Sequence, residues 1–272
     1  MSRFLSRPLQ TALGAAALMT VCASAHAAVV DVTVTVQNLA PTNSISFAPL
    51  HLGFNNGTFD AFNLGGVANA AIVSVAEGGA GGVWQAAFAA ADPGATRGTV
   101  AGLLTPGASR SLTLRVDTAV NPFFTFGAMA VPSNDFFIGN DSPTEYRLFN
   151  ASGQLNIASI GIKANEIWDA GSEVFDPAAA AFVGNNDLRR NQNSVVAFNF
   201  AEFSAFNGLT TGAGYTFNSA LTADSDVYRI SFGVSAVPEP GSYALMAAGL
   251  CAIGFIARRR RNGMQSAGTG AA

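Results

Sequence analysis

Hydrophobic and polar residues alternate with a period of two along several stretches of this chain. In "VVDVTVTVQNLA" the valines from Val30 to Val36 alternate with polar residues until Asn38, a pattern typical of a half-buried β-strand. Similar runs are "SRSLTLRVDT", in which Leu112, Leu114 and Val116 are predicted to face inward, "SVVAFNFAEF" and "SDVYRISFGVSAV". Glycine-rich turn signals separate the runs. Short strands of this kind predict an all-β fold, an antiparallel sandwich or barrel.

Two alanine-rich stretches bounded by glycine break this pattern and predict short helices. They are "GGVANAAIVSVAEGG" and "VWQAAFAAADPG". No internal repeat or interior linker divides residues 28–237, which are numerous enough to form one domain with a sizeable core.

Residues 1–27 have the order of a secretory signal peptide. Arg3 and Arg7 precede an apolar run from Ala12 to Val21, and an A-x-A pattern comes next at Ala25 to Ala27. The alternative is a first transmembrane helix, but the apolar run is shorter than the ~20 residues that a span requires. We therefore expect cleavage after Ala27 and export of the chain from Ala28 onward.

Residues 238–261 combine a Pro-Glu-Pro turn with an apolar segment and a basic cluster. The turn residues are Pro238, Glu239 and Pro240, and the cluster is Arg258, Arg259, Arg260 and Arg261. Arginines resist translocation, so the pattern predicts a transmembrane sorting helix whose basic side stays in the cytoplasm, with a disordered cytoplasmic tail over residues 262–272.

This order closely resembles the PEP-CTERM sorting tail of Gram-negative bacteria. The resemblance implies a transient stay in the inner membrane, recognition and cleavage by an exosortase-type enzyme, and transfer to the cell surface or extracellular matrix. The alternative is a plain single-pass anchor, for which the apolar segment is only marginally long.

Composition excludes several classes of function for residues 28–237. This part has no cysteine, because Cys22 and Cys251 lie in the two end segments, so disulfides, thiolate catalysis and cysteine-bound zinc are excluded. It carries eight basic and sixteen acidic residues, a net charge of −8. Such a surface repels nucleic acid and suits cations.

Three motifs, in order along the chain, resemble spondin-type domains, the family at the front of F-spondin and mindin. They lie in "VTVTVQNLAPTNSISFAPLHLGF…AEGG", in "GAMAVPSNDFFIGND" and in "NEIWDAGSEV". The resemblance implies an antiparallel β-sandwich of about eight strands, a role in extracellular binding or adhesion, and a divalent cation bound by loops at one end of the sandwich.

Three acidic residues are the predicted ligands of that cation. Asp135 follows a strand and Pro132, whereas Asp169 and Glu173 share the loop "WDAGSE". Calcium binds about six to eight oxygens from carboxylates, carbonyls and water, which two such loops would supply. Asp141 and Glu166 are weaker candidates, and Asp141 has the alternative of capping the turn into "SPTEY".

The sequence favours a binding protein over an enzyme. After signal cleavage the remaining histidine is His51, in a predicted strand, so a Ser-His-Asp triad has no evident base. The alternative is a secreted hydrolase of extracellular polysaccharide, in which the paired acids would act as acid and base. The ligand, an extracellular polysaccharide or a surface protein, is left open.

Overall fold

A computed structural model describes residues 29–237, 246–255 and 258 of the chain. The predicted signal peptide, the Pro-Glu-Pro turn, Arg259 to Arg261 and the predicted tail over residues 262–272 lie outside these ranges. Residues 246–255 are helical, and so is Arg258. Within the described ranges, no helix is long and apolar enough to cross a membrane.

Eleven strands form two antiparallel sheets over residues 29–237. The strands are β1 (Val29–Asn38), β2 (Ser46–Phe47), β3 (Leu50–Asn55), β4 (Thr96–Val100), β5 (Ser109–Asp117), β6 (Phe123–Val131), β7 (Phe136–Gly139), β8 (Tyr146–Arg147), β9 (Ser159–Lys163), β10 (Trp168–Asp169) and β11 (Asp226–Ala236). The smaller sheet has the order β5-β1-β11-β9, and the larger has the order β10-β7-β6-β3-β4, with β2 and β8 also paired to β6. Eight of the eleven strands have four or more residues.

The smaller sheet is hydrophobic on one face and polar on the other. The β1 valines Val32 and Val34 are fully buried. On the outer face the Thr33 hydroxyl lies 2.8 Å from that of Thr113, and Arg115 pairs with the carboxylate of Asp31. A period of two on a one-sided sheet produces this division, so the predicted alternation is confirmed.

The larger sheet is covered on both faces. Phe124 and Phe126 of β6 face the smaller sheet, while the opposite face packs against the helices α1 (Ala70–Gly78) and α2 (Gly82–Ala91). Gly53 lies under α2, where an added Cβ would overlap the ring of Phe88. The two predicted helices are thus confirmed, and a glycine in the sheet lets one of them approach closely.

Aromatic contacts between the sheets fix their relative direction. The rings of Phe124 and Phe232 are 4.9 Å apart, and those of Phe47 and Tyr228 are 4.7 Å apart. The end of β6 therefore lies toward the start of β11, since β2 pairs with the last residues of β6. Val30 pairs with Ala236 at the other end of the smaller sheet, so the first and last strands of the described sandwich have their outer ends side by side.

The predicted strand in "SVVAFNFAEF" is wrong. Residues from Phe200 to Phe206 form a 3₁₀-helix, one of four over residues 29–237, the others being Ala164–Glu166, Pro177–Ala179 and Asn186–Leu188. Phenylalanines at positions 200, 203 and 206 recur every three residues, which places them on one face of a 3₁₀-helix. Asn199 caps this helix by accepting a hydrogen bond from the Ala201 N–H. The phenylalanines in this segment therefore follow a period of three, and the period of two that predicted a strand does not describe them.

Candidate acidic site

Strand pairing brings Asp135 and Asp169 together at the end of the sandwich where β6 stops. Asp169 of β10 pairs with Phe136 of β7, directly after Asp135. The Ala170 N–H donates to the Asp135 backbone carbonyl at 3.1 Å. The loop that contains Asp135 and the loop that follows Asp169 are therefore adjacent, because β7 and β10 are hydrogen-bonded neighbours.

Asp135 is a buried carboxylate with three donors on one oxygen. Its side chain is 1% exposed, and Oδ2 accepts from the Ser172 N–H at 2.7 Å, the Ser172 hydroxyl at 3.1 Å and the Glu173 N–H at 2.9 Å. Burial raises the pKa of Asp135, and these hydrogen bonds oppose that rise. The Asp135 carboxylate thus links its own loop to the loop that contains Ser172 and Glu173.

Asp169 shares this environment and holds its proton more tightly than an ordinary aspartate. Burial and the adjacent Asp135 carboxyl raise the pKa of Asp169 to about 7, although the Gly171 N–H stabilises its charged form. Each carboxyl thus affects the ionisation of the other. Two interacting like charges in a buried environment do not both ionise freely, and a cation between them would relieve the repulsion.

The side chain of Glu173, the third predicted ligand, forms an ion pair with Arg189. Its carboxylate is 3% exposed and lies 2.6 Å from the Arg189 guanidinium, which is also 3.9 Å from the carboxylate of Glu77. The second oxygen, Oε2, is buried and has no hydrogen-bond partner among the described residues. Glu173 thus contributes its backbone N–H to Asp135 and its side chain to an ion pair.

Glu202 is a further acid at the site, and its place there was not predicted from the sequence. It lies on the Phe200–Phe206 3₁₀-helix, and its carboxylate oxygen Oε2 is buried without a partner in the described part of the chain. Burial and the charge of Asp135 raise the pKa of Glu202. Recognising the three-residue spacing of the phenylalanines would have placed Glu202 on a helix instead of a strand.

The two weaker candidates serve local structure. Asp141 accepts a hydrogen bond from the Leu64 N–H at 2.6 Å, which links two loops. Glu166 accepts from the Lys163 N–H at 2.7 Å at the start of a 3₁₀-helix. Asp141 thus holds a neighbouring loop instead of capping the turn into "SPTEY".

The oxygen donors at this end of the sandwich meet part of what a divalent cation requires. Asp135 and Asp169 offer hard oxygen atoms that interact electrostatically, and Glu202, which also interacts with Asp135, adds a buried oxygen without a partner among the described residues. Over residues 29–237, 246–255 and 258, however, no three His, Cys, Asp or Glu side chains converge as a ready-made metal group. The residues fit a cation held by two carboxylates with backbone and water oxygens, and the full predicted set of three stays a prediction.

His51, the remaining histidine of the predicted mature domain, lies buried in β3. Nδ1 is 3.0 Å from the Thr99 hydroxyl, and Nε2 is 3.0 Å from the Gly79 carbonyl. Burial lowers the pKa of His51. Its ring is thus occupied by structural hydrogen bonds.

Comparison with known proteins bears on the segment after the sandwich. A search of curated proteins finds no match to the chain. The resemblance of residues 28–237 to spondin-type domains stays a prediction. Residues 236–261 match the PEP-CTERM protein-sorting motif, so the chain carries a signal for exosortase-dependent export and sorting to the cell surface.

Proposed function

We propose that this chain is a cell-surface or extracellular-matrix binding protein whose sandwich holds a calcium-type cation at Asp135 and Asp169. The observation that carries the proposal is that strand pairing places Asp135 and Asp169 side by side at the end of the sandwich where β6 stops, where their carboxyls interact electrostatically. The sorting motif supplies the export route. The resemblance to spondin-type domains supports both the cation and the adhesive role.

The charge around the pair favours a bound cation. Asp135 interacts electrostatically with Glu77, Glu173, Glu202 and Asp169. The ion pairs within this acidic group involve one base, Arg189, as far as the described residues show. An excess of partly buried carboxylates without matching bases is stabilised by a divalent ion.

Calcium suits this arrangement better than magnesium. The acids come from a loop after β6, from β10 and from a 3₁₀-helix, which gives an irregular set of oxygen atoms. Calcium accepts irregular shells of about six to eight oxygens, whereas magnesium demands a small octahedral one. We infer that calcium binds and that magnesium substitutes poorly.

Calcium is expected to raise the melting temperature of the exported protein. At roughly a hundred times its dissociation constant, calcium should stabilise the folded state by about 2.7 kcal/mol. Asp169→Asn should remove most of this response. The matched control is Asp224→Asn, because Asp224 is 85% exposed and pairs only loosely with Lys163. The measurement is a thermal melt with calcium, magnesium or chelator.

The stability of the cation-free protein is expected to depend on pH. The folded-state pKa of Asp169 lies above its ordinary value of 3.8, so the folded state without a cation binds more protons than the unfolded state between about pH 4 and 7. Its stability should fall as pH rises through that window. With calcium present the trend should weaken or reverse, because the ion replaces the proton. If the melting temperature at pH 7 were the same with calcium and with chelator, the proposal would be contradicted.

Processing at both ends is expected in the exported form. The mature protein should begin near Ala28 and lack the segment after the Pro-Glu-Pro turn, since both end segments are processing signals. Intact-mass spectrometry of protein recovered from the surface or medium measures this. A mature mass that still includes residues beyond Arg258 would contradict exosortase cleavage.

A hydrolase acting on extracellular polysaccharide is the second candidate, because the raised pKa of Asp169 suits a general acid. Release of reducing sugar from a bound polysaccharide, lost in Asp169→Asn, would favour the hydrolase.

A further inference from the structure

A polar cleft of about 170 Å³ lies beside the acidic pair. One wall is α1 and the segment before it, and the other is the run from Asn191 to Ser194. The floor includes Gly171 and Ser172, and Ser172 also donates to Asp135. This amide cleft, named for Asn191, Gln192 and Asn193, is adjacent to the proposed cation site and separate from its ligands.

The backbone of the amide wall is held firmly. The Gln192 N–H donates to the Ser172 carbonyl at 2.8 Å, and the Ser194 N–H donates to the Gly171 carbonyl at 2.9 Å. Gly171 has a φ of +65°, and an added Cβ would lie 2.7 Å from the Val195 carbonyl oxygen. Glycine is therefore required there for the two segments to approach.

The carboxamide side chains on this wall are free to bind a ligand. Asn191, Gln192 and Asn193 are exposed, and their carboxamides make no hydrogen bond to any residue that the structure describes. Three consecutive amides on a hydrogen-bonded backbone thus offer paired donors and acceptors to a ligand.

The cleft's chemistry defines the class of ligand. A carboxamide both donates and accepts, as a sugar hydroxyl does, and the carboxylate of Glu77 adds a charged acceptor. Val67 and Val73 provide an apolar wall for C–H groups. No lysine or arginine is among the described residues that line the cleft, and the neighbouring base Arg189 is already paired with Glu173 and Glu77, which favours a neutral ligand over an anionic one.

We propose that the amide cleft binds a neutral sugar residue of an extracellular polysaccharide. This inference rests on the proposed function as a surface binding protein, for which it names a ligand class and a second site. A peptide strand is less favoured, because strand addition uses free backbone groups, and the Gln192 and Ser194 N–H groups on this wall already donate to Ser172 and Gly171.

Affinity gel electrophoresis of the exported protein tests the inference. The probes are neutral galactomannan, xyloglucan and dextran, with alginate as the anionic comparison. The triple variant Asn191→Ala, Gln192→Ala, Asn193→Ala should weaken retardation by at least one neutral polysaccharide about tenfold or more. The matched control is Asn165→Ala with Asn218→Ala, two exposed carboxamides outside the cleft.

The outcomes separate this inference from the cation proposal. Retardation by a neutral polysaccharide that the triple variant loses and the control keeps supports the amide cleft, provided the triple variant retains the wild-type melting temperature. Equal retardation of wild type and triple variant, preference for alginate, or no retardation by any neutral probe overturns it. The calcium response is measured on the same proteins, and its absence in the wild type would count against the cation proposal alone.

Discussion

Arg189→Met is expected to lower the free energy of unfolding by about 3–5 kcal/mol, because it leaves the carboxylate of Glu173 buried without its partner. Glu173 is 3% exposed and 2.6 Å from the guanidinium of Arg189. Arg189 also donates to the Glu77 carbonyl, a bond that methionine cannot replace. Urea denaturation of wild type and variant at pH 7 measures the loss.

The pH dependence of this loss identifies its cause. Burial already raises the pKa of Glu173, and Arg189 opposes that rise. Without the base, Glu173 should take up a proton more readily, so the difference between variant and wild type should shrink as pH falls toward the ordinary glutamate range. A difference independent of pH would point to lost packing instead.

Two comparisons complete this test. The double variant Arg189→Met, Glu173→Gln should recover part of the stability, since the buried charge is gone. Arg115→Met is the matched control, because the Arg115 side chain is 64% exposed in its pair with Asp31. Exposed pairs of this kind contribute about 0–1 kcal/mol. Arg189→Met within that same range would contradict the prediction.

Replacing Asp135 should distinguish its hydrogen bonds from its charge. Asp135→Ala is expected to lower the free energy of unfolding by about 3 kcal/mol or more, because the buried Glu173 N–H and the part-buried Ser172 N–H both lose their acceptor. Asp135→Asn keeps an acceptor oxygen and removes the repulsion with Asp169, so it should cost little without calcium. Thermal and urea unfolding in chelator compare the two.

Both Asp135 variants should respond weakly to calcium, although their stabilities differ. Asp224→Ala serves as the control for removing an exposed carboxylate. If Asp135→Asn were as unstable as Asp135→Ala in chelator, the charge of Asp135 would itself be required for the fold. A full calcium response in Asp135→Asn would instead remove Asp135 from the cation site.

The sequence predicted the sheets where burial is one-sided. In β1 the alternation of Val32 and Val34 with Thr33 follows directly from a sheet with a core face and a solvent face. The segment at Phe200–Phe206 failed because its apolar residues were interpreted with a period of two when the true period is three. Where the spacing of apolar residues is ambiguous in this way, packing against the surrounding core determines whether the segment forms a strand or a short helix.

The site was predictable only in part for a different reason. Asp135 and Asp169 could be grouped because each lies in a characteristic motif. The pairing of Glu173 with Arg189 could not, since it depends on the tertiary approach of the segments at Val174 and Arg190, which are hydrogen-bonded through the backbone. Nothing in the local sequence marks Arg189 as the partner.

The pairing of Val30 with Ala236 places both ends of the described sandwich at the end opposite the acidic pair. From Ala236, paired with Val30, back to Tyr228, beside the β2 end of the sandwich, β11 extends about 25 Å at roughly 3.3 Å per residue. Anionic headgroups influence ions over a Debye length of only ~8 Å at physiological salt. If the sandwich stands with β11 along the membrane normal during sorting, the proposed cation site would therefore sample the ion concentration of the bulk compartment, and its calcium affinity should be the same before and after release.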